Sequence, residues 1–397
     1  MNPLSGLTAL DFGQVYNGPY CGFLMAQAGA NVIKVESLKG ETLRSTNPKA
    51  SATYPFALLN GNKKSLVINI KSEHGQQLIQ RLAQKVDVIS ENFAPGTMAK
   101  YGIGAQALTA LNPRLIYASS TGYGNADGPY RDYLGMDITL QAISGVMSVT
   151  GEEGGPPLKT AAAFADFIAG THLYAAIVTA LFRRETTGEG AIVDISMQDC
   201  VFPTLATTIG SFYAQGQQMP RAGNRHTGNT LAPYNTYVAS DGYIAIICIR
   251  EGHFKKLCQA MDRPELAEDP RFHNFEARCQ NVMALDAEIT RWSATKTRQT
   301  LLALTQAHGV ICAPVNQLAE VVQDPHMTAR GSLHQRRHDS LGMIAQMQTP
   351  LRLSGDTPPP LTSPPGLGAD SSAVLHDLLG LSQADIKALV EQGAIAI

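Results

Sequence analysis

The feature that most restricts the fold is a regular alternation of short apolar runs and amphipathic segments through the first third of the chain. The runs LTALDF, ANVIKVE, SLVINI, VDVISENF and RLIYASS have strand length, while the segment after Pro19 and the segment over 73–84 carry apolar residues at helical spacing. Such alternation predicts an α/β domain, a parallel sheet with helices on both faces. Pro19 suits a first helical turn, where its missing N–H would be unpaired anyway. The turn that precedes it, DFGQVYNGP, holds Gly13 and Gly18 in a pattern that fits neither the dinucleotide fingerprint nor the phosphate loop. Without that fingerprint, Glu36 at the end of the second strand reads as a solvated strand end rather than a ribose ligand.

At 397 residues the chain exceeds one ordinary core. Its texture changes after GAIVDISMQDC. Two β-rich runs flank the hairpin signal Ser240-Asp241-Gly242, followed by helical patterns at 252–261, 283–292 and 298–307 and by the short strand VICAPV. The expected division is a large Rossmann-like domain over 1–200, a linker helix over 201–224, a small α+β domain over 225–325, and a return to the large domain over 326–397. That return runs through the Pro-rich connection of 355–372 to a final helix pair.

With 44% hydrophobic and 16% charged residues the chain has the composition of a folded enzyme, not of a disordered protein. A net charge of −2 supplies no general attraction to nucleic acid or to an anionic membrane. The six cysteines are scattered, with no C-x-x-C pair and no histidine cluster at metal spacing, so reduced thiols and no metal are expected. The N-terminus lacks a basic region followed by an apolar one, and no stretch approaches 18 uninterrupted apolar residues. A soluble, cytoplasmic protein is the expectation.

One carboxylate stands out. Asp166 in AAAFADFIAG sits between small residues and a helical pattern over 167–184 that ends in two arginines and Gly188. It reads either as an N-cap or as an anion kept ionised by the helix N-terminus and available as a nucleophile.

Seven segments, taken in order, resemble the class III CoA-transferases, the CaiB/BaiF type that includes formyl-CoA transferase and the α-methylacyl-CoA racemases. They are GLTALDFGQVYNGPYCGFLMAQAGANVIKVE, ENFAPGTMAKYG, LNPRLIYASSTGYG, FADFIAG, TGEGAIVDISMQD, APYNTYVASDGYI and LGADSSAVLHDLLGLSQADI. The resemblance implies an interlocked homodimer and CoA lying at the carboxyl ends of the large domain's strands. Coenzyme A and acyl-CoA would come as substrates, with no permanently bound cofactor. Matched positions imply CoA contacts at Tyr16, Asn17, Ile68, Asn69, Lys71, Asn92, Phe93, Lys100, Met136 and Asp137. Lys63, Lys64 and Lys100 read either as phosphate contacts or as ordinary surface lysines. Ser37 and the GADS of 368–371 depart from the pattern.

By the same resemblance Asp166 matches the family's nucleophile, which passes an acyl group and then CoA through an aspartyl anhydride and an aspartyl-CoA thioester to a small carboxylic acid. The glycine segment around Gly223 and Gly228 is expected to offer N–H groups to the oxyanion. It is shorter than that of formyl-CoA transferase, which argues against formyl-CoA as donor. Arg221, Arg225 or His226 would pair with a second carboxylate of a dicarboxylic acid. The competing readings are a racemase, opposed by Met136 where racemases place a histidine, and a CoA-binding subunit without chemistry. His172, within the apolar helix, reads as a core histidine.

Overall fold

The computed structural model describes residues 2–44 and 53–397. The chain divides into two compact units: Met1–Ser144 with Ala161–Pro203 and Val322–Ile397, and Gly145–Thr160 with Thr204–Val321. The second unit thus takes Gly145–Thr160, which the sequence reading left in the large domain. The only helix in that segment is the single turn Val146–Val149, too short to show a period.

The first unit is built on strands β1 (Thr8–Asp11), β2 (Asn31–Glu36), β3 (Lys64–Ile68), β4 (Val88–Glu91), β5 (Ile116–Thr121) and β6 (Ala191–Ser196). They lie in the order β3-β2-β1-β4-β5-β6, all parallel, and the short strand Ile395–Ala396 pairs antiparallel with β3. The segment of Ile68 is therefore not a sheet edge. Successive strand residues point to opposite faces, and both faces are buried. Leu10, Ile33, Val35 and Ile89 pack on one side with Leu78, Ile79 and Leu82 of a helix over Glu73–Ala83 and with Val374 and Leu375 near the C-terminus. Ala9, Val32, Val88 and Ile116 pack on the other with Cys21 and Met25 of α1 (Asn17–Gln27) and with Leu173 and Ile177 of a longer helix, Phe164–Thr187. That helix has the length and composition to cross a membrane, yet these side chains are core residues. It crosses α1 closely because a Cβ on Gly170 would stand 2.5 Å from the Asn17 carbonyl oxygen.

The second unit carries an antiparallel sheet of β7 (Tyr234–Ala239), β8 (Gly242–Ile247) and β9 (Ile311–Pro314), with the hairpin turn where Ser-Asp-Gly places it. Helices over Glu251–Ala260, Val282–Ser293 and Arg298–Ala307 cover it, contributing Phe254, Leu257, Leu285, Ile289 and Leu301 to one core. The helix expected as a linker, Ala206–Gln215, falls within this second unit.

Candidate active site

The turn from β1 into α1 is anchored by several hydrogen bonds. A Cβ on Gly18 would lie 2.6 Å from the Gly13 Cα, so only glycine permits the turn to close on itself. Asp11 Oδ1 accepts from the Gly13 N–H at 2.7 Å, and Asn92 brackets Gln14, accepting from its N–H at 2.7 Å and donating to its carbonyl at 3.0 Å. Asn17 donates to Ser120 Oγ at 2.8 Å, while its own Oδ1 is buried and unpartnered. The Tyr16 ring stacks on Phe167, 5.9 Å between centroids. Lys63, read as a surface or phosphate-contacting lysine, is instead buried, 2.8 Å from Asp11 Oδ2. Glu36 is likewise not a solvated strand end, because it is buried against Arg44 at 2.7 Å.

Asp166 lies in the first turn of the helix Phe164–Thr187 but is not its cap; Ala163 holds the cap position and offers no side-chain oxygen. The capping oxygen comes from Asp137, the first residue of the short helix Asp137–Ile143, whose Oδ1 accepts from the N–H groups of Ala165 at 2.9 Å and Asp166 at 3.4 Å. Gln141 holds the other Asp137 oxygen at 2.6 Å. Asp166 therefore feels a neighbouring carboxylate as well as the helix N-terminus. Burial, with Asp137 adding to it, pushes the Asp166 carboxyl up to about 7. Desolvation outweighs the helix-end effect of about 0.3–1 kcal/mol that the sequence reading expected to keep this carboxylate ionised.

Asp166 opens into a cavity of about 350 Å³ whose walls include Gln14, Val15, Asn17, Asn92, Phe93, Ser120, Met136 and Met197. A second cavity, of about 410 Å³, lies over the carboxyl ends of β1, β2 and β3 and shares Gln14 and Phe93 with the first. Ile68, Asn69 and Lys71 line this second cavity together with Glu36, Leu38, Lys39 and Gly40. Asn69 is tied down, donating to the Gly393 carbonyl at 3.2 Å and accepting from the Lys71 N–H at 3.1 Å. Of the predicted CoA contacts, Tyr16, Lys100 and Asp137 line neither cavity. Lys100 is exposed with its ammonium 5.8 Å from the Tyr101 ring. Lys64 is exposed at the start of β3. Sequence reasoning missed Lys39 in a loop, Ser120 near the end of β5 and Met197 at the start of the short helix Met197–Val201, where no spacing marks them.

In the second unit, Gly223 takes a φ of +59° and gives its N–H to the Gly151 carbonyl at 3.0 Å, so that amide is not a free oxyanion donor. Arg225 is held 2.7 Å from Asp286 Oδ2, and Arg221 donates to the carbonyls of Ser148, Glu152 and Gly155. Both guanidinium groups are committed within their own unit. His226 Nδ1 lies 2.7 Å from Thr230 Oγ1, with its ring against Tyr234. His172, expected in the core, is exposed with Nδ1 2.9 Å from the Ile168 carbonyl.

The sequence profile of CoA-transferase family III matches residues 4–371. The chain belongs to this family. As a family III CoA-transferase it is 34% identical to the formyl-CoA:oxalate CoA-transferase of Streptomyces avermitilis, over 99% of each chain. It is also 34% identical to the succinyl-CoA–D-citramalate CoA-transferase of Chloroflexus aurantiacus, over 98% of this chain and 96% of that one. Among solved structures, a CaiB/BaiF family protein from Brucella suis superposes with a TM-score of 0.84 at 35% identity, covering 95% of this chain and all of that one. The CoA-transferase is thus an enzyme that works on CoA thioesters, with a large, mostly parallel sheet like that of its relatives.

Proposed function

We propose that this CoA-transferase moves CoA between small carboxylic acids, dicarboxylates included, with Asp166 as the covalent nucleophile. The observation that carries the reading is a carboxylate without an ion pair among the described residues, pushed up to about 7 and facing a cavity that opens beside a second one suited to a nucleotide. Adenine is assigned to the second cavity, against Phe93 and Leu38, and the phosphates to the exposed Lys39 and Lys71. Lys63 has no such role.

The steps balance as follows. An ionised Asp166 oxygen attacks the thioester carbon, the C–S bond breaks, and CoA thiolate leaves an acyl-aspartyl anhydride. The thiolate attacks the Asp166 carbonyl carbon, expelling the donor acid as its carboxylate and leaving an aspartyl-CoA thioester. The acceptor carboxylate attacks that carbon and again releases thiolate, which takes the new acyl group and frees Asp166. Each attack exchanges one activated acyl bond for another, so no nucleotide hydrolysis is needed. Asp137 caps the helix and so fixes where the Asp166 backbone stands, while its charge makes Asp166 more basic and hence a better nucleophile once ionised.

The names of the two relatives above include a succinyl-CoA donor and two dicarboxylic acceptors, which supports a dicarboxylate here; the formyl-CoA relative leaves that donor in the panel to be tested. Met136 lines the Asp166 cavity with a thioether, which cannot shuttle the proton a racemase requires. An interlocked homodimer is proposed with the fold, and sedimentation of an undissociating dimer is the expected result. Assaying oxalate, citramalate and glutarate against formyl-, acetyl- and succinyl-CoA tests the substrate class. No transfer from any donor to any of these acids would sink it.

A further inference from the structure

Four buried charged side chains of the first unit take no part in the steps above. Asp11, Lys34, Glu41 and Lys63 expose 0%, 1%, 5% and 5% of their surface. Lys34, in the middle of β2, places Nζ 2.5 Å from Glu41 Oε2 and donates to the Gly13 carbonyl at 2.8 Å. Lys63 donates to Asp11 Oδ2 at 2.8 Å, Asn60 Oδ1 at 2.9 Å and the Pro19 carbonyl at 3.0 Å. The two ammonium groups grip the two ends of the β1–α1 turn.

Between those ends stands Val15 with a φ of +63°. A β-branched residue is disfavoured in the left-handed region, and such a conformation persists only where its surroundings over-determine it. Val15, Gln14 and Asn17 all line the Asp166 cavity, whereas neither lysine does. Buried ion pairs are weak stabilisers because desolvation offsets most of their attraction. Two of them gripping one strained turn are better explained by what the turn must hold.

We propose that Lys34 and Lys63 are positioning residues for CoA transfer: they clamp the Gly13–Pro19 turn, with Val15 left-handed, in the shape that seats the thioester against Asp166. The proposal rests on the reading of Asp166 as the nucleophile.

The test removes one clamp with both its charges, Lys34→Met with Glu41→Gln, so that no orphan charge is left inside. Exchange of radiolabelled succinate into succinyl-CoA is expected to lose about 100-fold in kcat, the scale of a small misplacement of reacting groups. The KM for succinyl-CoA stays within about threefold, because the lost interaction matters to the reacting geometry and not to uniform binding. Hydrogen exchange at the amides of residues 13–17 quickens. Adding Val15→Gly, which adopts a positive φ freely, returns about tenfold of the lost kcat, the signature of two coupled sites. A purely structural clamp would lower the melting temperature while leaving kcat per folded molecule unchanged. That result, or independent losses from Val15→Gly and the clamp variant, overturns the proposal. Mapping the covalent adduct in the wild-type enzyme tests the nucleophile separately. If no succinyl exchange is seen, unaltered hydrogen exchange at residues 13–17 in the clamp variant overturns the proposal by itself.

Discussion

Asp11 at the end of β1 and Asp166 in the first turn of the Phe164–Thr187 helix respond to burial with opposite results. Desolvation pushes both carboxyls up. Around Asp11 the charges of Lys63 and Lys34, with the Lys63 and Gly13 N–H bonds, outweigh it and hold the carboxyl below its ordinary value. Asp166 has Asp137 as its charged neighbour and forms no ion pair among the described residues, so it is pushed up to about 7. Burial pushes the two carboxyls the same way, and the sign of the charge beside each sets where it ends: cations hold Asp11 down, a carboxylate adds to the rise of Asp166.

The comparison breaks most visibly if the two residues are exchanged in role. Asp166→Asn is expected to lower transfer by at least about 10⁴-fold, since an amide has no anionic oxygen to attack the thioester; residual turnover near wild type would make Asp166 a bystander. Lys63→Met leaves the Asp11 charge buried and unpaired and should cost about 3–5 kcal/mol in urea unfolding, against a minor loss for the Asp11→Asn/Lys63→Met pair. A loss below about 1 kcal/mol for the single change would contradict the buried pair. For the reactive aspartate, kcat/KM should rise with pH through an apparent pKa near 7, because the attacking form is the ionised one. Asp137→Asn should move that limb to lower pH. Glu91, also pushed up to about 7 by burial, ends β4 just before Asn92 and lines neither cavity, and an unmoved limb in Asp137→Asn would assign the titration to Glu91 instead.

The smallest effect is on stability. A carboxyl whose folded pKa is raised binds more protons folded than unfolded, so its contribution falls as pH rises from about 4 to about 7 and stays lost above. Asp166→Asn lacks that loss and does not remove the helix cap. The variant should therefore melt higher than wild type at pH 8 and alike near pH 4, values that bracket the titration window. A lower melting temperature at pH 8 would contradict this sign.

Strand and helix periodicity made the parallel sheet and the longer helices readable, since these elements carry apolar spacing over several residues, while the helices of one or two turns went unread. Asp166 was readable from its place before an apolar helix. Its partner was not, because Asp137 comes from another helix and meets the Ala165 N–H only in three dimensions. The same blindness misplaced Lys63, Glu36 and Arg225, whose partners Asp11, Arg44 and Asp286 lie between 8 and 61 residues away. Lys34, a charge inside the apolar run ANVIKVE, is a local sign that β2 carries a buried lysine.

The account turns on the covalent role of Asp166. Incubating the wild-type enzyme with an acyl-CoA donor and no acceptor, then reducing with borohydride and sequencing the peptides by mass spectrometry, should convert residue 166 to homoserine, the product of a reduced aspartyl thioester. Homoserine at position 137, 194 or 199 instead, or none with an active enzyme and a productive donor, would contradict it.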